Sequence, residues 1–584
     1  MTTRKTRDGK PYAGSPHVWF GEGEVASCTA AALLWRWTCR RQPERRASGR
    51  AVTPRLCKLM VAVLAALPIA KCARAADPII VPSGNVDELV HALKIARDGD
   101  TITLESGTYD LTGLTPTKTS GYATAYLKLM GKRIILRGES DKHWSLKSPE
   151  EETVLRGGNG GAIFYAHGKV PRLSAIYNIT FENGRQPADS GNSSKVGGGA
   201  LSWATSDGCS PSEGYGFVSN CVFRNCGSAY DGGATYGIDA FDCLYTNCYS
   251  AANGGGAFGF FKRVANYYHT NLFANCVFVE NVAATNGGAL YCEHIDTVNG
   301  CVFKDNFASN ACGGLCSKTL GGTVSDCTFV SNMARRVRLG RQIDKVADVR
   351  CCTFLNWGDI HAKSIDRCIF DGCRAEFVSN AIALVTFDAG TGTGRLANSL
   401  FTGCLAPRVI VSAGVMADIE NCTFVGNSIA GHSENHKNWF FFAYKDADTS
   451  ALGTNCIVNC LFVTNVITSN TSGSEGWDLN FNATAGALNI VSNSLYVSGW
   501  GGLPPEQWNF MKGTVSFAAG VGKYSSAPYY MPQRRSAAVD AGLDLTWMPM
   551  GVDLAGNPRI VGDHVDIGCY ECVLPISGTV FSIR

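Results

Sequence analysis

Two stretches of the sequence place acidic, basic and imidazole side chains close together. They are Glu293, His294 and Asp296 in the first stretch, and Asp359, His361 and Lys363 in the second. Carboxyl and imidazole groups act as general acids and bases, and a lysine can neutralise the carboxylate of an acidic sugar. The favoured interpretation is that these residues are polar corners of a solvated coil. The alternative is a sugar-binding groove with possible catalysis.

Two further groups of carboxylates occur, one at a turn and one near the C-terminus. They are Asp231, Asp239 and Asp242 in the first group, and Asp540, Asp553, Asp566 and Glu571 in the second. Calcium prefers oxygen ligands, so the second group makes calcium the one candidate cofactor. The favoured interpretation is a structural cap in which Arg559 forms a salt bridge.

The elements that position these residues follow from a repeat, Cys-x-Phe-x-x-Asn. NCVFVEN (275–281) is followed by NGCVFKDN ending at Asn306 and SDCTFVSN ending at Asn332. Successive cysteines are 25 or 26 residues apart, which is typical of a repeat architecture. Within each copy, Cys and Phe share one face of a short strand, and Asn falls at the turn. We therefore expect Phe stacks and Asn hydrogen-bond ladders between copies.

A second motif begins with paired glycines, which permit a sharp bend before another strand. Its copies are GGGALSW (197–203), GGATYG (232–237), GGGAFG (254–259), GGALYC (287–292) and CGGLCS (312–317). Short strands with Gly and Asn corners predict an all-β chain, a right-handed parallel β-helix over residues 76–530. Residues 84–98 show helical spacing and predict an N-terminal capping helix, and residues 531–584 predict a C-terminal cap.

The cysteines divide into two groups. Those of Cys-x-Phe should stack at the ~4.8 Å coil spacing, which exceeds the ~3.8 Å Cβ separation that a disulfide prefers, so we expect buried thiols. Four other cysteines replace the corner Asn in consecutive copies. The predicted disulfides are therefore Cys226–Cys248 and Cys373–Cys404.

The N-terminal 75 residues differ from the rest. An apolar run at 59–70 and the Ala73-Arg74-Ala75 pattern predict a signal peptide cleaved near Ala75/Ala76, and residues 1–51 read as an over-extended N-terminus. Without residues 1–75, the chain has 38 basic and 45 acidic residues, a formal charge of about −7. We therefore expect a secreted or cell-surface protein that does not bind nucleic acid and has no transmembrane segment after cleavage.

Three segments carry resemblances to known families. A-L-x-x-A-x-x-G-D-T-I-x-L-x-x-G-T-Y, beginning at Ala92, resembles the start of secreted pectin-lyase-like β-helix proteins, some of which are polysaccharide lyases. FVEN, FKDN, FVSN, FVGN and FVTN resemble the repeats of polymorphic outer membrane proteins. SAAVDAG, DLAGNPR and VDIGCYE resemble the C-terminal module of bacterial β-helix proteins with variable surface anchors. The resemblances imply a bacterial β-helix at the outer membrane or outside the cell.

Two functions remain open. The insert at 431–450 contains Trp439 and Tyr444, whose rings could stack on sugars, and it favours an adhesin-like, monomeric protein that binds a polysaccharide or cell-surface glycan. The alternative is a polysaccharide lyase or glycoside hydrolase acting on acidic polysaccharide. The N-T-D, D-D, G-H-G and R-I-K set of polygalacturonases and the R-x-P-x-x-R of pectate lyases are absent. The sequence therefore leans away from an enzyme.

Overall fold

The computed structural model divides the chain into Met1–Arg74 and Ala75–Arg584, and the described residues all belong to the second part. They are residues 77–573 without 119–122, 131, 168–173, 189–196, 205–215, 260–262, 265–266, 269–270, 336–341, 376–382, 388–392, 414, 431–438, 445–453, 469–480, 484–487, 497–509 and 513–529. The predicted signal peptide and over-extended N-terminus lie outside the described residues. Among the described residues, no helix has the length and hydrophobicity that crossing a membrane requires.

Strands of successive coils stack into three sheets, which we call the long, Phe and short sheets. The long sheet comprises Ile79–Val81, Thr101–Leu104, Thr117–Lys118, Thr124–Met130, Ile135–Gly138, Ala162–His167, Ala175–Tyr177, Leu201–Ala204, Phe217–Ser219, Thr235–Tyr236, Asp239–Phe241, Ala257–Gly259, Asn271–Ala274, Leu290–Cys292, Ile295–Asn299, Leu315–Ser325, Ile343–Arg350, Ile360–Asp366, Val385–Phe387, Gly394–Ala397, Arg408–Ala413, Ala417–Glu420, Trp439–Tyr444, Thr454–Val458, Phe481–Ala483 and Leu488–Ser492.

The Phe sheet contains the strands of the Cys-x-Phe repeat. They are Gly107–Asp110, Thr153–Arg156, Ile179–Glu182, Val222–Arg224, Leu244–Thr246, Val277–Val279, Val302–Lys304, Thr328–Val330, Thr353–Trp357, Ile369–Arg374, Leu400–Thr402, Leu405–Ala406, Thr423–Val425, Ser428–Ala430, Leu461–Val463, Val466–Thr468, Ser494–Tyr496 and Phe510–Lys512. The short sheet consists of Arg185–Gln186, Gly227–Ser228, Tyr249–Ser250, Val282–Ala283, Phe307–Ala308 and Met333–Ala334.

The pairing between coils is parallel and in register. Phe278 pairs with Phe303, and Phe303 pairs with Phe329. Two antiparallel hairpins depart from this pattern, Thr117–Lys118 with Thr124–Met130 and Arg263–Val264 with Tyr267–Tyr268. Short 3₁₀ helices occur at Leu111–Gly113, Trp144–Leu146, Pro149–Glu151 and Met548–Met550. The predicted right-handed parallel β-helix is confirmed.

A single α-helix occurs among the described residues, α1 (Val86–Ile95), and it covers the first coil as predicted. The side chain of Asn85 accepts a hydrogen bond of 3.0 Å from the backbone N–H of Glu88 and so caps its N-terminus. Leu89 and Leu93 are buried on the side that faces the β-helix core. The helix thus shields apolar side chains at the first coil from water.

Inside the Phe sheet, aromatic rings form one continuous stack. The rings, in order, are Phe181, Phe223, Tyr245, Phe278, Phe303, Phe329, Phe354, Phe370, Phe401, Phe424 and Phe462. Neighbouring centroids lie between 4.2 and 5.3 Å apart, because parallel pairing repeats every side chain at the coil spacing. The predicted internal Phe stack is confirmed.

The corner Asn residues form the expected ladder. The Asn281 amide donates to Oδ1 of Asn306 at 3.0 Å, Asn306 donates to Oδ1 of Asn332 at 2.8 Å, and Asn332 donates to Oε1 of Gln342 at 2.9 Å. These side chains are buried away from water, so each of these hydrogen bonds supplies a partner that the amide groups would otherwise lack.

The two predicted disulfides are not formed, and that prediction is wrong. Cys226, Cys248, Cys373 and Cys404 are buried thiols. Each donates to a backbone carbonyl one coil away, as Cys373 does to Phe354 O at 3.2 Å and Cys404 to Phe370 O at 3.4 Å. The corner cysteines are stacked at the coil spacing, just as the Cys-x-Phe cysteines are, and this spacing does not suit a disulfide.

Residues 530–573 pack along the outer face of the Phe sheet. Ala538 and Ile567 contact Leu461 and Leu495 there in an apolar cluster. The backbone N–H of Cys569 also donates to Oγ1 of Thr423 at 2.9 Å. This cap covers one outer face of the β-helix, whereas the predicted catalytic residues lie on the long sheet.

Candidate functional site

The outer face of the long sheet aligns Tyr291, two residues before the first predicted cluster, with His361 of the second. Backbone pairing aligns Tyr291 with Cys316 and Cys316 with Asp344. Ile343 pairs with Ile360, so His361 follows Asp344 in the row. Three steps of ~4.8 Å separate the coil of Tyr291 from that of His361, which is about 14 Å. The two clusters therefore share a face but do not form one compact site.

His361 lies between two acidic side chains. Its Nδ1 is 3.4 Å from Oδ1 of Asp344, and its Nε2 is 3.7 Å from Oδ1 of Asp359. The Asp359 side chain is 0% exposed and that of His361 is 13% exposed. The imidazole thus lies between two carboxylates and reaches the surface on one side.

A β-bulge accounts for the position of Asp344. The register between Ile343–Arg350 and Ile360–Asp366 shifts between Ile343 and Val346, so two residues oppose His361. The second of them, Lys345, has a left-handed φ of 59° and is exposed. The bulge directs the carboxylate toward the imidazole and leaves a lysine at the surface beside it.

Lys363 is exposed on the same strand as His361. Residues two apart on a strand point to the same side and lie about 6.6 Å apart. Lys318 and Lys345 are exposed on the two preceding coils. Three successive coils of this sheet therefore each carry an exposed lysine.

Two cysteines extend this cluster, and sequence reasoning missed them together with Asp344. The possible ligand atoms of Cys312, Cys316 and Asp344 all lie within 4.8 Å of one another, and the three residues are buried. One sequence signal existed, since CGGLCS carries a cysteine where the other copies of the motif begin with glycine.

The first predicted cluster forms ordinary surface contacts. Glu293 pairs with Lys318 at 3.0 Å, and Nδ1 of His294 lies 2.9 Å from Oγ1 of Thr319. Asp296 is exposed. Solvent-exposed ion pairs of this kind contribute ~0–1 kcal/mol to stability, and the catalytic role of these residues stays a prediction.

Aromatic rings precede the cluster in the same row. Tyr236 stacks on Phe258 at 5.0 Å, and Phe258 stacks on Tyr291 at 5.4 Å. Tyr236 and Phe258 are only 6% and 4% exposed, so they are covered and unsuited to bind a sugar ring. Tyr291 is half-buried and is the one ring of these three that reaches the surface.

The turn carboxylates have different environments. Asp231 accepts hydrogen bonds of 2.9 Å from the backbone and side chain of Asn253, and Asp242 accepts one of 3.1 Å from Asn275. Asp239 accepts one of 3.0 Å from the backbone N–H of Leu272, and burial raises the pKa of Asp239 to about 7. Asp231 and Asp242 therefore stabilise turns, whereas the raised pKa of the half-buried Asp239 favours its protonated form.

The C-terminal carboxylates accept backbone hydrogen bonds within the cap. Asp553 accepts from the N–H of Asn557 at 2.7 Å, and Asp566 accepts from the N–H of Asp540 at 2.7 Å. The predicted ion pair of Arg559 is present, 3.4 Å from Glu571.

Burial raises the pKa of Glu571 to about 8. Asp540 itself accepts from the N–H groups of Asp563 and His564 at 2.9 and 3.2 Å. Whether these carboxylates bind calcium or only stabilise a cap stays a prediction.

The proposed sugar-stacking residues, Trp439 and Tyr444, bound a strand of the long sheet. Their side chains lie outside the part of the chain that the structure describes. Their role in binding stays a prediction.

Comparison with known proteins finds distant structural matches only. No family model and no curated protein matches the chain. A PL6 family alginate lyase is 13% identical, covers 76% of this chain and 54% of its own length, and has a TM-score of 0.37. A mannuronic-acid-specific family 6 lyase from human gut microbiota is 11% identical, covers 74% of this chain and 91% of its own, and has a TM-score of 0.37.

The catalytic domain of a GH87 α-1,3-glucanase is 12% identical, covers 70% of this chain and 68% of its own, and has a TM-score of 0.32. The chain thus spans about half the length of the first of these proteins, 54%. These similar structures are polysaccharide lyases and a glycosidase. Likeness at this level concerns the fold alone.

Proposed function

We propose that the protein is a polysaccharide lyase that cleaves an acidic polysaccharide lying along the outer face of the long sheet. One observation carries this proposal: His361 lies between the carboxylates of Asp344 and Asp359, on a face that carries exposed lysines on three successive coils. A base next to cations suits the elimination of a uronate, because the cations neutralise the sugar carboxylate while the base removes a proton.

In this reaction, Nε2 of His361, which at 3.7 Å from Asp359 is beyond hydrogen-bond distance of that carboxylate, removes the proton on the carbon next to the uronate carboxylate. The electron pair forms a carbon–carbon double bond, the glycosidic C–O bond breaks, and the leaving oxygen takes up a proton. Lys363 neutralises the carboxylate whose negative charge grows in the transition state. Asp344 orients the imidazole through Nδ1, as the third group of a catalytic triad does.

The geometry favours elimination over hydrolysis by paired carboxylates. A glycosidase needs the sugar or a water molecule between its two carboxyl groups. Here the imidazole of His361 lies between Asp344 and Asp359. The gap that hydrolysis requires is therefore filled by protein.

The exposed lysines of the long sheet favour a negatively charged substrate. Lys318, Lys345 and Lys363 are exposed on three successive coils, whose strands lie ~4.8 Å apart, and Lys318 also pairs with Glu293. A polymer with a carboxylate on each sugar would meet several of these cations at once. The signal-peptide pattern at 59–75 supports a site of action outside the cytoplasm.

The test is to incubate the purified chain with a panel of uronate-containing polysaccharides, with and without calcium, and to follow the ultraviolet absorbance of unsaturated products. His361→Ala should slow the reaction about 10²–10⁴-fold, as the loss of a general base does. Lys363→Ala should slow it as well. Matched controls are His91→Ala on α1 and Lys304→Ala on the Phe sheet, both exposed and remote from the site.

Three results would contradict the proposal. An unchanged rate in His361→Ala would show that His361 is not the general base of the reaction. New reducing ends without unsaturated products would indicate a hydrolase. Retention on immobilised polysaccharide without cleavage would favour the adhesin-like function.

A further inference from the structure

Cys312 occupies a backbone position that glycine holds in the other copies of its motif. The residues at this position, with their φ angles, are Gly198 (86°), Gly232 (71°), Gly254 (68°), Gly287 (66°) and Cys312 (57°). Left-handed φ values are strained for a residue that carries a Cβ. The cysteine is therefore placed where glycine would fold more easily.

The neighbouring coils show why glycine suits this position. A Cβ built on Gly232 or Gly254 would lie 2.2 Å from the carbonyl oxygen of the residue three positions later, and one on Gly287 would lie 2.5 Å from it. Real Cβ atoms do not approach other atoms so closely. A cysteine at the same place lowers the stability of its coil unless its thiol has a compensating function, and strained residues of this kind cluster at functional sites.

The thiol of Cys312 lies beside two other metal-binding groups. Its Sγ, the Sγ of Cys316 and a carboxylate oxygen of Asp344 are all within 4.8 Å of one another. The three side chains come from two neighbouring coils, which the pairing of Cys316 with Asp344 holds together. Cys312, Cys316 and Asp344 are 0%, 4% and 8% exposed.

We propose that Cys312, Cys316 and Asp344 bind a zinc ion. Thiolate sulfurs at ~2.3 Å and a carboxylate oxygen at ~2.0–2.2 Å are normal zinc ligands, and a tetrahedral ion brings such atoms within about 4 Å of one another. The observed separations need only a small contraction. Thiolates disfavour magnesium and calcium, so the donor set selects a softer divalent ion.

His361 supports the site from outside. Its Nδ1 lies 3.4 Å from Oδ1 of Asp344, and its Nε2 lies 3.7 Å from Asp359. A histidine that contacts a ligating carboxylate fixes the orientation of that ligand, and such supporting groups tune metal affinity. Three protein ligands leave a fourth zinc position for water or another ligand.

The zinc proposal does not depend on the proposed lyase reaction, although Asp344 belongs to both. The experiment therefore measures metal rather than activity. The full chain is purified under reducing conditions, loaded with zinc, desalted, and analysed by elemental mass spectrometry. We expect about one zinc per chain, and cobalt in its place should give a sulfur-to-cobalt charge-transfer band typical of thiolate ligands.

The decisive variant is Cys312→Gly, which restores the residue of the other coils. It should remove the bound zinc and the cobalt band, yet fold normally and be more stable than the zinc-free wild type. Zinc should raise the unfolding temperature of the wild type and leave that of Cys312→Gly unchanged. Cys456→Ser, which changes a half-buried thiol outside the cluster, is the matched control and should retain zinc.

Three results would overturn the proposal. They are a wild-type chain that retains no zinc, zinc binding unchanged in Cys312→Gly, and a Cys312–Cys316 disulfide in the protein as isolated. Activity of His361→Ala tests the lyase separately, so failure of either proposal leaves the other open to measurement.

Discussion

The ring stack of the Phe sheet allows a test of how much stacking stabilises the fold beyond burial. Phe303 is fully buried, and its ring lies 5.1 Å from that of Phe278 and 4.6 Å from that of Phe329. Phe181, at the start of the stack, has one ring neighbour, Phe223 at 5.3 Å, while its partner on the other side is Leu155. Replacement of each Phe by Leu keeps an apolar side chain and removes the ring.

The magnitude follows from the number of ring contacts. A well-oriented aromatic pair contributes ~0.5–1.5 kcal/mol beyond area burial. Phe303→Leu loses two such contacts, about 1–3 kcal/mol, and Phe181→Leu loses one, about 0.5–1.5 kcal/mol. Each also incurs up to ~1.5 kcal/mol for the change of shape. Phe303→Ala adds a cavity and should cost about 3–5 kcal/mol.

The assay is urea unfolding followed by far-ultraviolet circular dichroism and by tyrosine and tryptophan fluorescence. Because a solenoid can unfold in parts, both probes must give the same midpoint before free energies are compared. We expect Phe303→Leu to destabilise the protein about twice as much as Phe181→Leu through lost stacking. Equal losses in the two Leu variants would show that burial alone sets the contribution of these rings.

Two further predictions concern titrating groups. Burial raises the pKa of Asp239 from 3.8 to about 7, so the folded protein favours the protonated acid. Stability is then highest below the unfolded pKa and falls as the pH rises through the folded value, by up to about 4 kcal/mol. Asp239→Asn should reduce the loss of urea stability between about pH 5 and about pH 8; an unchanged loss would assign it to other groups, such as Glu571. Thiol titration of the denatured, unreduced chain should find the described cysteines as free thiols, and finding nearly all of them oxidised would refute the stacked-thiol arrangement.

Several features followed from local pattern alone. Cys-x-Phe-x-x-Asn places the same three residue types in each coil. Parallel, in-register pairing then brings each side chain against the same residue type in the next coil. The ring contact between Phe278 and Phe303 and the hydrogen bond between Asn306 and Asn332 could therefore be predicted without knowledge of loop lengths. The cap of α1 was also predictable, because Asn85 and the spacing of the apolar residues lie within a single short segment. For the same local reason, sequence reasoning identified His361 and Asp359 as one cluster.

The rest of the site required the tertiary structure. Asp344 reaches His361 only because a β-bulge shifts the register between two coils, and no residue pattern near either position marks that shift. Cys312 and Cys316 join Asp344 from another coil, across a segment of 27 residues between Cys316 and Asp344, so sequence spacing does not reveal their proximity. The corner cysteines were assigned to disulfides from their order in the chain, whereas the coil spacing keeps them as thiols. The sequence by itself determined what stacks inside the β-helix, where the repeat dictates each neighbour. The register of the coils decided which outward-facing side chains meet, because loops of unequal length separate them along the chain.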